Sequence, residues 1–69
     1  MPLVFAEVGE EQIIKKEGGS QEMKKHLADM GFVPGGGVTV VSTIGGNVIV
    51  RVKESRVAIS KEMAQKIMV

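Results

Sequence analysis

The chain has no cysteine, no tryptophan and no tyrosine, two phenylalanines and two prolines. Without cysteine there is neither a disulfide framework nor a thiolate metal site, and nothing points to an oxidising compartment. Two aromatic rings leave few platforms on which bases could stack, so recognition of single-stranded nucleic acid by stacking is disfavoured. Charge of one sign is lacking too: a formal net charge of +1, with both signs interspersed, creates no field that singles out nucleic acid or an anionic membrane. No run approaches the roughly 20 apolar residues that span a bilayer, and the amino terminus lacks the charged start and apolar stretch of a secretory signal. The expectation is a cytoplasmic protein with no direct membrane insertion.

A length of 69 residues allows one domain, expected to cover 1–69. A domain of this size buries only about 60% of the surface its unfolded chain exposes, so its stability should be modest and a partner surface, including a second copy as homodimer, is plausible.

The most informative stretch runs from Met23 to Val40. Met23, Leu27 and Met30 recur at i, i+4 and i+7 and place three long apolar side chains on one helical stripe. Ser20 is a suitable N-cap, with Glu22 in the first turn, so a helix is predicted from about Gln21 to Met30. Gly31 suits the left-handed position after the helix, from which Phe32 can fold back on Leu27 in a Schellman-type cap. Pro34 blocks continuation and Pro34-Gly35 suits a type II turn.

Strands are expected around this helix. Leu3–Val8 reads as an edge strand or an extended arm covering the core, and Gln12–Lys16 as a first strand whose two isoleucines point differently. Gly37–Thr43 alternates, with Val38 and Val40 on one face and Thr39 and Val41 on the other. Ile44–Asn47 supplies a turn into Val48–Lys53, with Val48, Val50 and Val52 inward and Ile49, Arg51 and Lys53 outward. After a turn at Lys53–Ser55, Arg56–Ile59 forms a third short strand. Ser60 then caps a helical turn from Lys61 to Lys66, and Ile67–Val69 closes the chain as a strand. The fold class is mainly β, a small, strongly bent and partly open barrel with one inserted α-helix and a short C-terminal helical turn.

Two separated patterns resemble a known family. Leu27, Met30, Gly31, Phe32, Val33, Pro34, Gly35 and Val38 are similar to R-L-x-x-L-G-h-x-P-G-x-x-V. Val57-Ala58-Ile59-Ser60, followed by Ala64, Ile67 and Val69, is similar to L-A-L-R-x-x-x-A-x-x-I-x-V. Together they resemble the ferrous-iron transport protein A (FeoA) family over nearly the whole chain, with His26 and Ser60 standing where the family pattern has arginine. The resemblance implies an SH3-like barrel and an accessory role in bacterial or archaeal Fe²⁺ uptake. The implied partner is the FeoB membrane transporter with its cytoplasmic GTPase domain.

Enzymatic readings find little in the residues. There is no cysteine nucleophile, the single histidine has no neighbouring Ser in a recognisable catalytic arrangement, and Gly35-Gly36-Gly37 leads into a strand, whereas phosphate-cradling glycine loops open a helix. No catalytic residue and no cofactor are therefore assigned. Glu22, His26 and Asp29 share one strip of the helix and are the candidates for a weak Fe²⁺ site, since carboxylate and imidazole suit that ion. Arg51 and Arg56 are the arginines available to act on another protein's phosphoryl transfer. The residues assigned to partner binding are Lys24, His26, Phe32, Val33, Pro34, Ile49 and Arg51, on the helix, its following turn and the hairpin. The alternative functions are an SH3-like metal-sensing regulatory domain and a weak RNA-binding SH3-like module, the latter through Lys15, Lys16, Lys24 and Lys25.

Overall fold

Six strands in two sheets and two helices make up the computed structural model, which describes residues 1–69. Strands β1 (Glu11–Ile13), β3 (Gly37–Ile44), β4 (Asn47–Val52) and β5 (Ser55–Ser60) form an antiparallel sheet in the order β1-β3-β4-β5. Strands β2 (Lys16–Glu17) and β6 (Ile67–Met68) form a second, two-stranded sheet. Helix α1 (Gln21–Asp29) lies between β2 and β3 in sequence, and α2 (Lys61–Gln65) between β5 and β6.

The alternation of valines determines which face of the long sheet is covered. Val38 and Val40 of β3, Val48, Val50 and Val52 of β4 and Ile59 of β5 point inward and are buried with Leu3, Ile14, Leu27, Phe32, Ala64, Ile67 and Val69 in one core. Val41 is the extra residue of a bulge in β3, where the register against β4 shifts between Val40 and Ser42. Such a bulge bends its strand and increases the local twist, which helps a small sheet curve around its core.

Glycine matters most at position 31. Ser20 Oγ accepts from Met23 N at 3.1 Å to open α1. At the other end the N–H of Gly31 donates to Ala28 O at 2.9 Å and that of Phe32 to Leu27 O at 2.9 Å, the hydrogen-bond pair of a Schellman cap. Gly31 has φ +102°, and a methyl there would meet Lys53 Cδ at an unstrained 3.5 Å. The cost of a side chain is thus a backbone cost. Gly31→Ala is expected to lose about 1–2 kcal/mol, read as a fall in the thermal midpoint of roughly 4–16 °C for a domain of this size. An unchanged midpoint would remove this account of how α1 ends.

Two regions differ from the sequence expectation. Leu3–Phe5 is a 3-10 helical turn, not a strand, and only Leu3 inserts into the core; Phe5 and Val8 are 71% and 61% exposed. Val4 and Ala6 are half-buried and pack against the core beside it, so the arm covers that end of the barrel through alternate short contacts while Phe5 and Val8 face out. The expected strand Gln12–Lys16 is broken after Ile13, with β1 pairing β3 and β2 pairing β6. The break follows from the two isoleucines: Ile14 is buried and Ile13 is 54% exposed. The chain passes from one sheet to the other where Ile14 turns in, and Ile14 N–H and C=O bond Gly36 O and Gly35 N.

Candidate functional site

The outer face of the long sheet carries the polar residues that alternate with the core valines. The register places Glu11 opposite Thr39, Thr39 opposite Arg51, and Arg51 opposite Arg56, one row across β1, β3, β4 and β5. At the end of this row where the chain arrives from α1, the sheet meets the turn after the helix. The two surfaces enclose a groove of about 160 Å³ lined by Glu11, Gly31, Gly36, Gly37, Thr39, Arg51 and Lys53. No hydrophobic residue lines it.

Glycine shapes the floor. A methyl on residue 37 would stand 2.6 Å from Glu11 Oε2, so the bare backbone of Gly37 is what lets that carboxylate lie across it. Pro34-Gly35 forms the predicted turn, with Gly35 at φ +87° and Gly36 N–H donating to Val33 O at 3.0 Å. Lys53 has φ +55°, a left-handed conformation unusual for a non-glycine residue, in the two-residue turn joining β4 to β5.

The residues assigned to partner binding fall into three groups. His26, Pro34 and Arg51 are exposed, and Lys24, Val33 and Ile49 are half-buried, so six of these side chains reach the surface. Phe32 does not. It is fully buried and is the largest enclosed side chain, because the Schellman cap turns it back toward Leu27 and into the core. Phe32 is therefore a core residue and is withdrawn from the contact surface. Sequence reasoning also passed over Glu11, Thr39 and Lys53, which line the groove with Arg51; the predicted pairing of the valine hairpin already implied that Thr39 and Arg51 share a face.

Glu22, His26 and Asp29 all lie exposed on α1. No three His, Cys, Asp or Glu side chains of the structure come together as a group able to hold a metal ion.

The titration of Glu17 is displaced by its surroundings. Its Oε2 is enclosed without a hydrogen-bond partner although the residue as a whole is half-buried, and this loss of hydration raises its pKa above the ordinary 4.5, with the nearby Lys24 charge opposing. The folded state therefore favours the protonated form. Its contribution is stabilising below about pH 4.5 and is lost as pH rises through the raised value. Glu17→Gln is expected to raise the thermal midpoint at pH 7 and to converge with the parent near pH 4. A midpoint lowered at pH 7 would show instead that the Lys24 attraction dominates.

The fold is that of a small SH3-like β-barrel carrying an inserted helix, with a polar groove on the outer face of its long sheet. The FeoA domain profile matches residues 1–69, and the chain belongs to the FeoA family, a family of ferrous iron transport accessory proteins. A Methanocaldococcus jannaschii protein provisionally named Fe(2+) transport protein A is 40% identical over 68 residues, covering 99% of this chain and 83% of the relative. The crystal structure of an iron uptake regulatory protein (FeoA) superposes with a TM-score of 0.88 at 26% identity, over 97% of this chain and 91% of the other. The solution structure of iron(II) transport protein A from Clostridium thermocellum superposes with a TM-score of 0.91 at 27% identity, over 99% of this chain and 43% of the other.

Proposed function

We propose that the chain is a non-enzymatic docking module that binds the cytoplasmic GTPase portion of a FeoB-type Fe²⁺ transporter and modulates its assembly or GTP turnover. The observation that carries this reading is the groove itself. Gly31 and Gly36, from the segment after α1, line it together with Arg51 of the hairpin, so two parts of a contact surface that are distant in sequence adjoin. Half-buried Val33 and Ile49 and exposed Pro34 supply apolar area, and Lys24, His26 and Arg51 a polar margin, the composition of a contact surface with a polar rim. Regulation then proceeds by contact. Fe²⁺ is the cargo of the transporter and is not assigned a site on this chain.

The test is binding of the intact domain to the purified GTPase portion from the same genome, with GTP hydrolysis followed in parallel. Saturable binding that weakens on substitution of Val33 or Arg51 supports docking. Accelerated hydrolysis that disappears with Arg51→Ala or Arg56→Ala alone would instead make one arginine a direct participant in phosphoryl transfer.

A further inference from the structure

The row across the outer sheet contains an arrangement that stability does not favour. Arg51 and Arg56 are directly opposite in the β4–β5 register, and like charges so placed repel. Neither is relieved by the acid of the same row: Glu11 lies two strands from Arg51, a spacing of roughly 10 Å between strand axes. Glu11 instead leans along its strand onto the bare backbone of Gly37, at the groove floor. A third cation, Lys53, lines the same groove from a left-handed backbone position at φ +55° where glycine would be less strained. Two cations and a hydroxyl thus line a small cavity whose own carboxylate lies on the floor against Gly37.

We propose that this groove receives a single side-chain carboxylate from an acidic segment of a partner protein. Arg51 supplies a planar two-pronged donor suited to a carboxylate, Lys53 a second charge, and the Thr39 hydroxyl a further donor. Size favours this occupant. About 160 Å³ is well below the roughly 300–1,000 Å³ of pockets that enclose drug-sized molecules and cofactors, and suits the end of one side chain. Glu11 acts as the competing internal carboxylate, because it occupies the floor and repels an incoming anion. The inference goes beyond docking on the transporter, since it concerns the chemistry the groove accepts from any partner.

The probes are the blocked peptide acetyl-Gly-Glu-Gly-amide, its glutamine counterpart and inorganic phosphate, each titrated into the ¹⁵N-labelled intact domain at low salt. The glutamate peptide is expected to give saturable amide shifts confined to Gly36, Gly37, Thr39, Arg51 and Lys53, and the glutamine peptide none there. Glu11→Gln should tighten the glutamate peptide about two- to fivefold, the range of one exposed charge pair. Arg51→Ala should abolish the localised shifts, and Lys53→Gly should weaken binding without lowering the thermal midpoint. Equal shifts from both peptides, shifts spread evenly over all lysines and arginines, or weaker binding in Glu11→Gln would overturn the proposal. Phosphate binding more tightly than the glutamate peptide would overturn it as well, since the groove would then be a phosphate site. A groove that ignores the peptide while the domain still binds the GTPase portion would reject this inference and leave docking intact.

Discussion

Phe32→Ala is expected to lower the stability of the folded protein by about 3–5 kcal/mol. Phe32 is the largest of the fully enclosed side chains, and its backbone N–H closes the α1 cap on Leu27 O at 2.9 Å. Truncating a buried phenylalanine costs about 3–5 kcal/mol, because the lost transfer energy is joined by the cavity left behind. The whole stability of a domain this long is of the order of 3–10 kcal/mol. The substitution therefore removes a large fraction of the total, and the core has no disulfide to fall back on. The check is chemical denaturation followed by far-ultraviolet circular dichroism, with Phe32→Leu as the milder comparison. A Phe32→Ala protein that kept its midpoint and lost only partner binding would return Phe32 to the contact surface and contradict the packing described above.

Arg51→Glu is expected to weaken binding to the GTPase portion at least tenfold, about 1.4 kcal/mol, with no loss of folding stability, since the new carboxylate stands opposite Arg56. Arg51 is exposed and its neighbours in the row are polar, so the fold does not depend on it. In the complex the guanidinium would be desolvated against the partner, and reversing it both removes the donor pair and adds a carboxylate to a groove that already holds Glu11. Losing one partner of a desolvated charge pair typically costs about 2–5 kcal/mol, so tenfold is a conservative figure. Lys25→Glu is the control: it is exposed on α1, outside the proposed surface, and should change affinity less than twofold once ionic strength is matched. Equal losses for the two variants would mean that net charge, and no particular surface, drives the association.

Much of this architecture was legible before any coordinates. Ser20, Gly31 and Pro34 mark the ends of α1 through backbone chemistry that acts locally, and the alternating valines of β3 and β4 reveal their buried face because the period of a strand is two. The failures lie where tertiary competition decides. Leu3, Phe5 and Val8 are all apolar, and only the space left by the barrel selects Leu3 for burial. Ile13 and Ile14 are adjacent and chemically identical, so no local rule chooses which turns in. Phe32 beside Val33 and Pro34 resembled an exposed apolar turn, although the cap that sequence correctly anticipated requires it to fold inward. The groove is non-local in a further sense. Its lining comes from β1, from the turn after α1, from β3, β4 and the β4–β5 turn, and the unfavourable Arg51–Arg56 pairing emerges only when the register is known.

The central claim is docking on the transporter, and the most direct measurement is titration of the ¹⁵N-labelled domain with the purified cytoplasmic GTPase portion in its nucleotide-free, GDP-bound and GTP-analogue states. The account predicts saturable binding in at least one state, with amide shifts or broadening concentrated at His26, Val33, Ile49 and Arg51 and sparing Lys25. A folded domain that binds in none of the three states would contradict it.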